Sequence, residues 1–243
     1  MKTRAIAAAV LCVAILAGYR YAQPRIGAWQ GGMARIVNDT DSFTDTGGYP
    51  VPGSYSVDID LADLGGNTGK VLYDDGSYVI DVGWVDNTGS AMTGGYRIGL
   101  RSHGTYSPDG ADLVSGSRHR TMGAHAFSSD MTASMTAAYN GQNYESPVFA
   151  IGGLNEKDGD EFAFYVFPAG AYEAGGVSLQ ETGTVTLTVT GLYRNVWRKK
   201  ETADAAERPG EGRTANAPVP ENGGAADAGQ GPDVPPSAGI GSL

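Results

Sequence analysis

Six consecutive residues, four of them acidic, supply the side chains that glycosidic bond cleavage uses. They are Glu156-Lys157-Asp158-Gly159-Asp160-Glu161, with the spacing E-x-D-x-x-E. Retaining hydrolysis of a sugar requires two carboxyl groups about 5 Å apart, one acting as nucleophile and one as acid. On a strand, alternation would direct such carboxylates into one cleft, but lysine and glycine between the acids favour a turn. The sequence therefore predicts a solvated turn here and no catalytic residue.

Two acidic clusters carry oxygen ligands of the kind that calcium binds. Their aspartates are Asp39, Asp41 and Asp45 in the first cluster, and Asp158 and Asp160 in the second. Calcium requires six to eight oxygens that converge on one point. Neither cluster matches the helix-loop-helix calcium pattern, so plain solvated loops are the alternative. Calcium is the one cofactor that the sequence allows.

The other residue types used in catalysis are sparse or poorly spaced. The three histidines are His103, His119 and His125, and the even spacing of the last two allows them to share a strand face without an evident carboxylate partner. No Gly-x-Ser-x-Gly elbow and no Ser-His-Asp arrangement is apparent. Cys12 is the only cysteine, so the rest of the chain has no disulfide, thiol nucleophile or cysteine-bound metal.

Arginines and tryptophans are the candidate ligand-binding residues. Arg97 and Arg101 share a predicted strand face with His103, which indicates either a basic patch or the ordinary charged outer face of a strand. Trp29 and Trp197 lie at the ends of the predicted domain, where each could stack against a sugar or pack at the boundary. Trp84 lies on the apolar register of its strand and is expected in the core.

The stretch from residue 71 to 100 predicts a three-stranded antiparallel meander. Asp75-Gly76 is typical of a two-residue turn, and Tyr78, Ile80, Val82 and Trp84 then follow at every second position. Asn87-Thr88-Gly89 predicts the next turn, and apolar residues then recur again at every second position. One face of each strand is thus expected in a core and the other in water.

Further period-two segments extend the pattern over about residues 28–197. Clear alternation occurs over 55–61, 131–137 and 184–190, and 148–151 with 162–167 predicts a hairpin. Residues 28–37 are a weaker first strand, 140–147 are expected to be a loop, and no stretch shows sustained helical periodicity. About eight or nine strands result, which predicts an all-β antiparallel sandwich of immunoglobulin-like or jelly-roll-like type.

The two ends of the chain differ from this body. Lys2 and Arg4 precede an apolar run to Gly18, so residues 1–22 are expected to be a secretory signal peptide or an uncleaved membrane anchor. The sandwich domain is assigned to 23–197. Residues 198–243 lack aromatic residues and are rich in Ala, Gly and Pro, which predicts a disordered tail.

Charge narrows the class of partner. Residues 23–197 contain nine Lys or Arg and twenty Asp or Glu. Such an acidic surface repels phosphate backbones, so nucleic acid is excluded as a partner.

Two segments resemble the secreted bacterial β-sandwich proteins grouped around camelysin and the biofilm-matrix fibre subunits. One is the polar run Ala34-Arg35-Ile36-Val37-Asn38-Asp39-Thr40-Asp41-Ser42-Phe43, and the other extends from Tyr78 to Leu100. The resemblance implies a non-catalytic matrix or fibre component. The spacing from Glu156 to Glu161 resembles instead the signature of β-sandwich glucanases that retain configuration.

The leading hypothesis is therefore an exported surface or extracellular-matrix protein that acts by binding or assembly. Its partners would be other matrix proteins, glycans or further copies of itself, and any membrane contact would be through residues 1–22. A carbohydrate-binding module or glycoside hydrolase is the alternative. These hypotheses differ on whether aromatic residues and carboxylates converge on one sheet face. For self-association, residues 28–37 would be the donated strand and the threonine-rich strand 184–190 its acceptor.

Overall fold

The computed structural model describes residues 12–20, 31–154 and 156–200, and within them the protein is mostly antiparallel β-sheet. Residues 12–20 and 31–38 are helical, and a short helix spans Ala169–Glu173. Sixteen strands lie in the described residues: β1 Phe43–Asp45, β2 Tyr49–Pro50, β3 Ser54–Asp60, β4 Val71–Asp74, β5 Val79–Asn87, β6 Tyr96–His103, β7 Thr105–Ser107, β8 Gly110–Ser115, β9 Ser117–Gly123, β10 Ala126–Met131, β11 Ser134–Tyr139, β12 Gln142–Ser146, β13 Val148–Gly153, β14 Glu161–Tyr165, β15 Thr184–Thr190 and β16 Tyr193–Lys199.

Two sheets enclose the main core and confirm the predicted all-β sandwich. One has the strand order β12-β11-β15-β3 and the other the order β13-β14-β6-β5-β4. Alternate residues of both sheets, such as Ile59, Leu187, Ile98 and Phe164, are fully buried between them. The strand count exceeds the expected eight or nine because segments expected to be loops also pair, among them β12.

The central meander is present, with two local differences from the prediction. Strands β4, β5 and β6 pair in order, as expected. The first connection is longer than two residues, because Asp74 pairs with Val79 and residues 75–78 form the loop. In that loop Asp75 Oδ1 accepts hydrogen bonds from the backbone of Ser77 and Tyr78, which favours the wider turn.

A β-bulge in β5 is the second difference. The register with β6 shifts between Val82 and Trp84. An extra residue reverses the direction of all later side chains in a strand. Val85 consequently enters the core and Trp84 lies on the opposite, outer face, so the expectation that Trp84 belongs to the core is wrong.

A third sheet and a β-ribbon build a second, smaller core. The sheet has the order β1-β16-β8-β7, and β9 pairs with β10 as a separate ribbon. Met33, Ile36 and Val37 pack with Leu113 and Trp197 in this core. These three residues have helical spacing, and residues 31–38 are helical, so the first strand predicted over 28–37 is wrong for the residues that the structure describes.

The structure contradicts both parts of the predicted mode of self-association, the donated strand and its acceptor. The segment proposed as donated strand is helical over 31–37. The proposed acceptor β15 is an interior strand with β11 on one side and β3 on the other. Its backbone groups are therefore already paired, and it offers no edge to another strand.

The ends of the chain are only partly described. Residues 1–11 and 21–22 of the expected signal or anchor segment, and 201–243 of the expected tail, lie outside the described residues. Strand β16 continues to Lys199, two residues past the predicted end of the domain. No helix among the described residues is both long enough and apolar enough to cross a membrane.

Candidate functional site

The outer face of the β13-β14-β6-β5-β4 sheet carries chemically distinct rows of side chains, set by the strand register. The register aligns Asp81, Arg101 and Glu161 in one charged row across β5, β6 and β14. The next row contains Trp84, Gly99 and Ala163, and the third contains Asp86, Arg97 and Tyr165. We call this surface the Trp84 face. Its rows combine aromatic rings with both hydrogen-bond donors and acceptors.

Trp84 is the centre of the face. A methyl group built on Gly99 would lie 2.2 Å from the indole Nε1, so only glycine leaves room for the ring. Indole Nε1 donates a hydrogen bond to Glu161 Oε1 at 3.0 Å. Phe149 packs edge-on against the indole, with ring centroids 6.2 Å apart, and Phe149 also contacts Tyr165. Because all three rings are half-buried, the face presents a fixed aromatic platform to solvent.

Arg97 links this platform to Asp86 in the third row. Its Nε donates to Asp86 Oδ1 at 2.8 Å, and its Nη2 pairs with Asp86 Oδ2. The guanidinium lies 4.6 Å from the centroid of Phe149, a cation–π arrangement. The hydrogen bond to Asp86 raises the pKa of Arg97 above its ordinary value. Arg97 is therefore a fixed, permanently charged donor beside the rings.

Arg101 and His103 organise the opposite side of the face. Arg101 Nη2 lies 3.3 Å from both Glu156 Oε2 and Asp158 Oδ1. His103 contacts Asp158 Oδ2 at 2.9 Å and Asp81 Oδ2 at 3.3 Å. Burial raises the pKa of Asp158, but hydrogen bonding and charge from His103, with Arg101, outweigh it and leave that pKa below its ordinary value. The half-exposed carboxylate is thus held ionised.

The arginines of the sequence hypothesis belong to this face, and Trp197 does not. Arg97, Arg101 and His103 share one side of β6, as the alternation predicted. Trp197 is fully buried in the second core and offers no stacking surface, so its assignment as a ligand-binding residue is wrong. Trp29 lies outside the described residues. Trp84 was missed because a single-residue bulge leaves no signal in the alternation.

The candidate calcium ligands do not converge. Within the described residues, no group of three or more histidine, cysteine or acidic side chains could hold a metal ion. In the first cluster, Asp39 Oδ1 accepts from Ser42 N at 3.1 Å, and Asp41 lies 3.6 Å from His125. Asp45 lies on β1, where its backbone register partner is Trp197 of β16. In the second cluster, Asp158 turns to the Trp84 face and Asp160 turns into the protein.

A buried polar network lies behind Asp160. Its carboxyl Oδ2 accepts from Ser115 Oγ at 2.6 Å and lies 2.6 Å from His119 Nε2. The other ring nitrogen, His119 Nδ1, lies 2.7 Å from Ser129 Oγ. Ser129 and His119 are cross-strand partners on β10 and β9. No pattern in the sequence indicates this Ser-His-Asp series, because its members are far apart in the chain.

No protein-family model, no curated protein and no solved structure matches the chain.

Proposed function

We propose that this protein is an exported β-sandwich protein that acts by binding, and that the Trp84 face is its binding surface for a neutral carbohydrate. The observation that carries the proposal is the convergence of aromatic rings and carboxylates on one sheet face. The sequence hypotheses named this convergence as the feature that would favour a sugar ligand. Export itself remains a prediction from residues 1–22.

The aromatic row supports a ligand with both apolar and polar sides. A pyranose ring has an apolar face of C–H groups that packs against indole, and hydroxyl groups around its rim. Trp84 and Tyr165 supply the packing surface. Arg97 and Glu161 flank the row with a donor and an acceptor at positions fixed by their hydrogen bonds. A few fixed polar groups around an apolar surface are typical of small-molecule sites.

The balance of charge favours an uncharged ligand. Five carboxylates surround the two arginines and His103 on this face: Asp81, Asp86, Glu156, Asp158 and Glu161. Anionic sugars would meet like charge, which costs affinity. Both arginines are already paired with carboxylates, so neither is an open anion site.

The acidic side chains of this face already accept hydrogen bonds or form ion pairs, which favours binding over catalysis. Glu161 accepts the hydrogen bond of Trp84, and Glu156 and Asp158 pair with Arg101. A glycosidase needs one protonated carboxylic acid and one free carboxylate across the scissile bond. Trp84 and Arg101 instead engage these groups as hydrogen-bond acceptors, the role in which a carboxylate recognises hydroxyl groups.

An array of neutral oligosaccharides, followed by titration calorimetry with the strongest binder, tests the proposal. We expect Trp84→Ala to weaken that binding at least tenfold, equivalent to about 1.4 kcal/mol. Trp84→Phe should keep part of the affinity because it retains a ring. Tyr49→Ala is the matched control, since Tyr49 is an exposed aromatic residue on the separate strand β2.

Each outcome distinguishes the alternatives. Failure of the folded protein to bind any oligosaccharide, or equal losses in Trp84→Ala and Tyr49→Ala, would contradict the proposal. Concentration-dependent dimerisation that Trp84→Ala abolishes would replace the sugar with a second copy of the chain. Thermal melts followed by circular dichroism verify that each variant is folded.

A further inference from the structure

We propose that Ser129, His119 and Asp160 form a nucleophilic catalytic site that cleaves esters carrying a small acyl group. The site is separate from the Trp84 face. Its geometry is that of an activated nucleophile: a hydroxyl within hydrogen-bond reach of a base, which a third group orients. The two distances are 2.7 Å from Ser129 Oγ to His119 Nδ1 and 2.6 Å from His119 Nε2 to Asp160 Oδ2.

The tautomer of His119 follows from the chemistry of its neighbours. Ser115 Oγ already donates to Asp160 Oδ2, which is therefore an acceptor, so the proton shared with His119 lies on Nε2 of the ring. Nδ1 is then the acceptor, and Ser129 Oγ–H donates to it. The imidazole is thus in the form that can remove the serine proton. The nitrogens have the opposite order to that of the serine proteases, but their roles are unchanged.

Burial decreases along the series toward the nucleophile. The side chains of Asp160 and His119 are both fully inaccessible, and Phe127 and Trp197 pack against the imidazole. Ser129 is only partly buried. Ser129 is therefore the member of the series with the most solvent-accessible surface, and a substrate would reach the series at this residue. Ser115 Oγ, which donates to the same Asp160 oxygen, is a positioning residue that fixes the carboxylate.

The proposed reaction is ordinary acyl transfer. Ser129 Oγ attacks the ester carbonyl carbon as its proton moves to His119 Nδ1, and Asp160 stabilises the imidazolium. The ester C–O bond then breaks, and the departing alkoxide takes the proton from Nδ1. Water repeats the sequence on the acyl-serine: its proton passes to Nδ1 and then to Ser129 Oγ, and the carboxylic acid is released.

The environment selects esters with small acyl groups. An alkoxide leaves more readily than an amine, so cleavage of an ester requires less stabilisation of the oxyanion than cleavage of an amide. Ser129 lies in a strand of the β9–β10 ribbon, where the neighbouring side chains of Phe127 and Ser128 are half-buried at the surface. A short acyl group fits such a surface better than a long chain.

A fluorophosphonate probe and p-nitrophenyl acetate test the inference on the full chain. We expect one covalent adduct per molecule by intact mass spectrometry, mapped to the peptide that contains Ser129. Ser129→Ala should abolish the adduct and the release of p-nitrophenol, and His119→Gln should slow labelling at least tenfold. Ser134→Ala, an exposed serine on the neighbouring strand β11, should label like the wild type.

Several results would overturn it. They are a folded wild-type protein that gains no adduct, an adduct mapped to another residue, or labelling that survives Ser129→Ala. If Ser129→Ala does not fold, peptide mapping of the wild-type adduct still decides the question. Sugar binding is measured by calorimetry and the esterase by covalent labelling, so failure of sugar binding and failure of the esterase are observed independently.

Discussion

Asp158 and Asp160 are two residues apart in one segment, yet they belong to opposite kinds of electrostatic site. Asp158 is 36% exposed and pairs with Arg101 and His103 on the Trp84 face. Asp160 is inaccessible and shares its oxygen with Ser115 and His119. The backbone between them pairs with β6, where Ser102 N donates to Asp160 O and Gly104 N donates to Asp158 O. Residues two apart in a regular strand share a face, but the chain bends at Asp158 before β14 begins, so one carboxylate points outward and the other inward.

The comparison shows how differently the same group contributes to stability. Water and salt screen an exposed ion pair, which contributes about 0–1 kcal/mol. A buried carboxylate has lost its hydration, and its partners depend on it completely. Removing one member of a buried pair costs about 3–5 kcal/mol, because it leaves the other members buried and unpaired.

The largest expected effect is that of Asp160→Ala, which leaves His119 and Ser115 buried in the second core without their shared partner. We expect a loss of about 3 kcal/mol or more in the free energy of unfolding, measured with urea. Asp158→Ala is the matched control and should lose less than about 1 kcal/mol. Similar losses in the two variants would show that the inward and outward carboxylates are not energetically distinct.

Met33→Ala measures how far the second core depends on the helical residues 31–38. Met33 is inaccessible and packs in this core, so truncation should cost about 2–3 kcal/mol in the free energy of unfolding. Met92, which is 97% exposed, is the matched methionine, and Met92→Ala should change that free energy by less than about 0.5 kcal/mol.

The same packing predicts where any processing of the chain stops. Met33 N also donates to Lys157 O at 2.7 Å, so a cut after Ala34 would remove part of the fold. If the predicted signal segment is cleaved, we expect mass spectrometry of the native protein to find an N-terminus before Gly31. A mature chain that begins at Arg35 and is equally stable would contradict this role of the helix.

The smallest expected effect is the acid dependence of the outer pair. The pKa of Asp158 is lowered in the folded protein, so its contribution to stability is present above the ordinary carboxyl pKa and is lost as the pH falls below about 4. The difference in unfolding free energy between wild type and Asp158→Asn should therefore shrink between about pH 5 and 3. A difference that stays constant over this range would show that Asp158 gains nothing from His103 and Arg101.

Local chemistry in the sequence was sufficient for most of the sandwich. Alternation placed Val57, Ile59, Val185 and Leu187 in the core and Arg97 with Arg101 on the outer face, and all of these placements are confirmed. This succeeded because side-chain direction in a regular strand depends only on its own period of two.

Tertiary structure decided the features that depend on contacts between distant segments. The bulge that turns Trp84 outward adds one residue to β5, and Gly99 on the neighbouring strand leaves the space that the indole occupies. Residues 31–38 have a weak local preference, and burial of Met33, Ile36 and Val37 against Leu113 and Trp197 stabilises them as a helix. Ser129, His119 and Asp160 meet only because the β9–β10 ribbon and the segment before β14 pack on the same core. Such proximity is a property of topology, which no local pattern in the sequence specifies.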